Sequence, residues 1–244
     1  MALSSKTRSR INNICNMSYI VVDVESDGPI PHKYSMVSFG TVSFLSLPIH
    51  IKTLSMEEII EKFSAFFPLS EALINYLLSV VEAFDLRKND YLLKYGQTCN
   101  YMYYLQQGLL RGYHLDEEWK ETSSWFMREG NFVTAVKSYF TGQPTLEPIH
   151  AVEDCQLLGI HRDHLDHAYL NFMEFNLPGR KLTEKYYVLA DERASLLRRL
   201  SANELYLHLK QNEPWMFQRV DEQDIASYMG IDRSTLSRIK NMYE

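Results

Sequence analysis

Residues 220–244 read VDEQDIASYMGIDRSTLSRIKNMYE, and two short helical patterns meet there at a glycine. Within Asp224–Met229, the apolar residues Ile225, Ala226 and Met229 fall on one face. Gly230 supplies a turn, and Asp232 or Ser234 starts the helix that follows. That second helix has only Leu236 and Ile239 to bury, which leaves Arg233, Ser234, Thr235, Ser237, Arg238 and Lys240 for the outside. A helix, a tight glycine turn and a helix with a cationic outer face make the helix-turn-helix arrangement. Such a second helix fits a major groove about 12 Å wide, where arginine meets guanine O6 and N7 with two hydrogen bonds. Arg233 and Arg238 are five residues apart, or about 140° around the helix axis. One can read a base while the other reaches the adjacent step or a phosphate. Arg233, Ser234 and Arg238 are therefore expected to read bases, and Thr235, Ser237 and Lys240 to hold phosphates.

The charge balance opposes this reading. From Ser201 onward there are five Lys and Arg against seven Asp and Glu, and the whole chain carries a net charge of -6. DNA contact must then come from a local basic patch. The plainer alternative is a small terminal helical pair whose charges are merely solvated.

Upstream, GRKLTEKYYVLADERASLLRRL (179–200) is the longest clean helical pattern, opening at Gly179. Leu182, Tyr186, Leu189, Arg193, Leu196 and Leu200 step alternately by four and three, the narrow seam of a two-helix coiled coil with Arg193 as a charged interruption. Leu182, Tyr186, Leu189, Leu196 and Leu200 are therefore read as a dimer interface; packing on the chain's own core is the alternative. Ser201-x-x-Glu204 is a capping box that begins a further helix, which Glu213-Pro214 ends.

Residues 84–160 have a different texture. FDLRKNDYLLKYGQTCNYMYYLQQGLLRGYHLDEEWKETSSWFMREGNFV (84–133) consists of short apolar and aromatic runs punctuated at Gly96, Gly108 and Gly130, and EPIHAVEDCQLLGI (147–160) resumes the pattern with a turn at Asp154. Strands at this spacing suggest an antiparallel sandwich or roll. Helical spacing precedes them, with a capping box at Ser55 and Glu58 and an apolar face of Leu73, Tyr76, Leu77 and Val80. HRDHLDHAYLNFMEF (161–175) reads as a short helix after them.

The bulk numbers limit the function classes. No run of about 18 apolar residues exists, so no membrane span is expected. Cys15, Cys99 and Cys155 are scattered, which argues against a disulfide framework, a zinc site or an iron–sulfur cluster and suggests a reducing cytoplasm. His161, His164 and His167 do not share one narrow helix face, so no metal site is read there.

The order helix, β-roll, long helix, small helix and helix-turn-helix resembles the Crp/Fnr family of bacterial transcription regulators. The resemblance covers about residues 55–244 and rests on YLLKYGQTCNYMYYLQQGLLRGYH (91–114), LTEKYYVLADERASLLRRLSANELYLHL (182–209) and IASYMGIDRSTLSRIK (225–240). It is closest to the divergent members common in Bacteroidetes-type genomes. It implies an α+β fold: an antiparallel β-roll of the cyclic-nucleotide-binding jelly-roll type (51–175), a long dimerisation helix (176–200) and an all-α helix-turn-helix domain (201–244). The partners it implies are double-stranded DNA, a second copy of the chain, RNA polymerase and a small-molecule effector of unknown identity. It implies no cofactor and no enzymatic activity. Half-sites would lie about 34 Å apart, one turn of duplex.

Two departures from the family pattern matter. Cyclic-AMP-binding members carry a Gly-Glu pair and then an Arg-Ser/Thr-Ala run; here the segment reads NFVTAVKSYFTGQPTLEPIHA (131–151). Phe132, Val133, Thr134, Ala135, Thr145 and Leu146 would line the corresponding, degenerate effector pocket. Thr134-Ala135 stand in place of Gly-Glu, and Thr145 in place of the phosphate-pairing arginine. Only Lys137 or His150 remains to neutralise a cyclic phosphate, so cyclic AMP is expected to bind weakly or not at all. Second, the wing strands that follow the recognition helix in that family are expected to be missing or reduced.

The start of the chain reads differently. Residues 1–18 are polar, basic and without period. YIVVDVESDGPIPHKYSMVSFG (19–40) then resembles the first motif of DEDD-type 3′–5′ exonucleases, in which Asp23 and Glu25 would hold two divalent metals. That resemblance stops by about Phe44, and the later carboxylate motifs are not convincing; the spacing of His161 and Asp166 is read as coincidence. A metal-dependent exonuclease fragment is one alternative function. A degenerate nucleotide-binding module acting through protein partners is another.

Overall fold

The computed structural model describes residues 56, 57, 59–61, 63, 64 and 68–243. The strand-like runs between Tyr19 and Phe44, the Ser55–Glu58 capping box and the carboxylates Asp23 and Glu25 lie outside the described residues. The chain divides into two compact units, Met1–Lys62 and Phe63–Glu244. In the first, residues 56, 57 and 59–61 are helical; the second holds everything that follows.

Ser70 caps α1 (Glu71–Val80) by accepting from the Leu73 N–H, and Leu73, Ile74 and Leu77 are its buried face. Eight strands follow: β1 (Glu82–Leu86), β2 (Tyr91–Leu93), β3 (Tyr101–Gln107), β4 (Leu109–Leu115), β5 (Glu121–Arg128), β6 (Asn131–Val133), β7 (Ile149–Ala151) and β8 (Cys155–His161). They form two four-stranded sheets, ordered β1-β8-β3-β6 and β2-β7-β4-β5, in which each pair is antiparallel. This is the roll expected from the short punctuated runs. Leu105, Leu109, Leu110, Ile149 and Leu157 are fully buried and form its centre.

A short helix, α2 (Val136–Thr141), interrupts the strands between β6 and β7 and ends on left-handed Gly142. After β8 come α3 (Arg162–Asn171), a 3-10 turn (Met173–Phe175) and the long α4 (Asn176–Arg199). Helix α4 starts three residues before Gly179, where the sequence pattern had placed its first residue. Proline is tolerated in a first helical turn, so Pro178 does not stop the helix. The Asn176 side chain donates to the carbonyls of Tyr169 and Met173. Gly179 is there for close approach, because a Cβ at that position would run into the Tyr169 ring.

The remaining helices are α5 (Ala202–Asn212), α6 (Met216–Arg219), α7 (Glu222–Met229) and α8 (Arg233–Tyr243). The capping box at Ser201 and Glu204 forms as expected, with both reciprocal bonds present. No strand follows His161 among the described residues.

Candidate nucleic-acid interface

Helix α7 buries Ile225, Ala226 and Met229, the face expected from the sequence. Gly230 ends it in the left-handed region at φ 69°, where a side chain would be strained. The Gly230 N–H donates to the Ser227 carbonyl and the Ile231 N–H to the Ala226 carbonyl, which satisfies the carbonyls at the end of α7. The Asp232 carbonyl accepts from the Thr235 and Leu236 N–H groups and opens α8. Only Leu236 and Ile239 of α8 are buried.

Arg233, Ser234, Ser237 and Arg238 are exposed on α8, and Thr235 is half-buried. An Nη of Arg238 donates to Thr235 Oγ1 at 3.0 Å, so Thr235 steadies that guanidinium. Lys240 is placed differently from the other cations. Its ammonium lies 2.6 Å from Glu222 Oε1, the carboxylate at the start of α7. Arg233 approaches the other oxygen of Glu222 at 3.6 Å. These cations, Lys240 first, hold the Glu222 carboxyl below the usual carboxylate range.

The helical pair is fixed to the roll by side chains that the sequence pattern did not single out. Arg111 of β4 is 3% exposed. Its guanidinium donates to Ser123 Oγ at 2.8 Å and to Glu121 Oε2 at 2.6 Å, and lies 3.1 Å from Asp224 Oδ1 of α7. It also stands 4.8 Å from the centre of the Tyr113 ring. Ser227 of α7 accepts from the Ser123 N–H and donates to the Glu121 carbonyl. Arg219 of α6 pairs with Glu129 and Glu153, one at each of two turns of the roll. Leu109 and Phe126 of the roll share one apolar cluster with Leu205, Leu209, Ile225 and Leu236.

The stripe along α4 is divided between the chain's own interior and solvent. The Tyr186 hydroxyl accepts from the Phe132 N–H at 2.7 Å, so Tyr186 is turned into its own chain. Arg193 donates to the Ser124 and Tyr228 carbonyls at 3.0 Å each, with its guanidinium over the Tyr228 ring. The apparent interruption of the seam is thus an internal pin joining α4, β5 and α7. Leu196 and Leu200 pack against the apolar cluster around Leu236, and Leu182 is half-buried. Leu189 is exposed, together with Tyr187, Val188 and Leu197.

The residues expected to line an effector pocket are largely engaged inside the chain. Phe132 stacks on Phe63 and tilts against Tyr104. Val133 and Ala135 are buried. Thr134 Oγ1 donates to the Tyr101 carbonyl at 3.1 Å. Thr145 is buried, its hydroxyl donating to the Glu147 carbonyl and accepting from the Glu147 N–H. Leu146 is exposed. Of the two cations left near this segment, Lys137 is exposed, whereas His150 sits beside the Tyr91 and Tyr113 rings. Burial, assisted by nearby Arg111, pushes the His150 pKa below its usual value and favours the neutral ring.

Residues 84–171 match the cyclic nucleotide-binding domain family. No curated protein matches the sequence. Among solved structures, FixK2 from Bradyrhizobium japonicum is 20% identical and aligns with TM-score 0.55 over 67% of this chain and 84% of its own. The c-di-GMP-responsive global regulator CLP from Xanthomonas campestris is 17% identical, with TM-score 0.56 over 71% of this chain and 91% of its own. A Crp/Fnr-family protein from Eubacterium rectale is 14% identical, with TM-score 0.60 over 75% of this chain and 87% of its own. At these identities the likeness is one of fold: a cyclic-nucleotide-binding roll followed by helices, as in Crp/Fnr regulators. No described helix is long and apolar enough to cross a membrane.

Proposed function

We propose that this protein is a DNA-binding transcription regulator of the Crp/Fnr type, acting as a homodimer on a pseudo-palindromic site. The observation that carries this reading is α8: a helix that buries Leu236 and Ile239, with Arg233, Ser234, Ser237 and Arg238 exposed beside a left-handed glycine turn. Arg233, Ser234 and Arg238 read base edges; Thr235 orients Arg238, and Ser237 meets the phosphate backbone. The second copy docks along α4, through Leu189 and the neighbouring Val188. Selection from a random duplex pool without cyclic AMP tests this directly. Recovery of an inverted repeat with half-sites one helical turn apart is the expected result. Recovery of no sequence, with or without cellular metabolite extract, would end the base-reading assignment.

Cyclic AMP is not the effector in this reading. A charge-assisted pair missing at Thr145 weakens phosphate binding by about 1.5–3 kcal/mol, or roughly 10- to 150-fold. Titration calorimetry is expected to show no saturation with micromolar cyclic AMP. A micromolar Kd would overturn this part of the proposal.

A further inference from the structure

Glu222 stands apart from the other acidic residues near α8 because it faces two cations of that helix at once. Its Oε1 accepts from Lys240 at 2.6 Å and its Oε2 lies 3.6 Å from Arg233. Lys240 is two turns past Arg233 on the same face of α8 and is largely covered, with 28% of its side chain exposed. A carboxylate between two cations on a DNA-facing helix occupies the electrostatic position of a backbone phosphate. Surface ion pairs of this kind are worth about 0.2–1 kcal/mol, weak enough for a phosphate to compete.

We infer that Glu222 is an internal phosphate mimic that holds Lys240 away from the DNA backbone and so lowers affinity for duplex of any sequence. This deepens the DNA-binding reading and rests on it. It also reassigns Lys240: in the wild-type protein its charge is spent on Glu222 rather than on a phosphate. The region from Ser201 onward is acidic by two charges, so suppressing one of its few cations leaves binding dependent on base contacts. Base contacts discriminate between sequences, whereas phosphate contacts do not.

The test is a double-mutant cycle on the full chain, read as Kd for random-sequence duplex across a salt series. Glu222→Gln keeps the shape and removes the charge. It is expected to tighten binding by about 2- to 30-fold, the release of one surface ion pair in each of two protomers. The slope of log K against log salt should steepen by about 0.9 for each phosphate gained. Lys240→Gln alone should change Kd by less than about 2-fold, and in the Glu222→Gln background it should abolish the gain. Asp221→Asn removes a neighbouring exposed charge and controls for general electrostatics; its slope should match the wild type.

A Glu222→Gln protein that binds no tighter than wild type overturns the inference and leaves the DNA-binding reading intact. So does Asp221→Asn reproducing the whole effect, or Lys240→Gln alone weakening binding several-fold. If neither wild type nor Glu222→Gln binds any duplex, the DNA-binding reading falls and this inference falls with it. Far-ultraviolet circular dichroism confirms folding of each variant. Should Glu222→Gln not fold, the Lys240→Gln single variant still decides the point.

Discussion

Replacing Arg111 with alanine is expected to lower the free energy of unfolding by about 3–5 kcal/mol, the usual cost of removing one partner from a buried ion pair. Arg111 is nearly inaccessible and satisfies Ser123, Glu121 and Asp224 together. Its loss leaves the half-buried Asp224 carboxylate without its counter-charge. Urea unfolding reads this as a lower midpoint, and a change below 1 kcal/mol would mean that the pairing contributes nothing to stability. Asp224→Asn should behave differently. Burial raises the Asp224 pKa above the ordinary carboxylate range, with Arg111 opposing the shift. A group whose folded-state pKa is raised contributes stability below its unfolded value and loses it as pH rises through the folded value. At neutral pH the charged carboxylate is a net burden, so Asp224→Asn is expected to cost far less than Arg111→Ala. If the two substitutions cost the same, the charge on Asp224 is stabilising and this account is wrong.

Arg238→Ala is expected to weaken specific DNA binding by about 1–3 kcal/mol and to relax preference at a single base position in each half-site. Arg238 is exposed, and it donates to the neutral Thr235 hydroxyl rather than to a carboxylate. Its charge is therefore available to a guanine edge, unlike that of Lys240. Repeating the duplex selection with the variant separates base reading from phosphate contact. A phosphate contact would weaken all sequences uniformly, whereas a base contact removes information at one position. Unchanged selectivity in Arg238→Ala would show that the guanidinium does not read a base.

Local signals were legible in the sequence, and tertiary facing was not. The short punctuated runs of residues 84–160 became eight strands spanning Glu82–His161. Ser201 with Glu204, Gly230, and the pair Leu236 and Ile239 all do what their spacing implied, because each acts within a few residues. The stripe of α4 was harder. A spacing of four and three marks a contact face without saying whose surface meets it, and both Tyr186 and Arg193 turn toward their own chain. Arg111 gave no periodic signal, since a charged residue within a strand normally reads as solvent-facing. The pairing of Lys240 with Glu222 leaves no trace in the spacing, because the two are 18 residues apart and on different helices.

The contacts that hold the last helices have one more consequence. β5 is the outermost strand of its sheet, and an open strand edge is a template on which foreign strands can pair. Here the start of that strand, residues 121–124, is already occupied. Ser227 takes the Ser123 N–H and the Glu121 carbonyl, and Arg193 takes the Ser124 carbonyl. The same side chains that hold the candidate DNA-reading helices thus cover the first half of this strand edge. A roll cut off before α4 would leave those backbone groups of β5 without these partners.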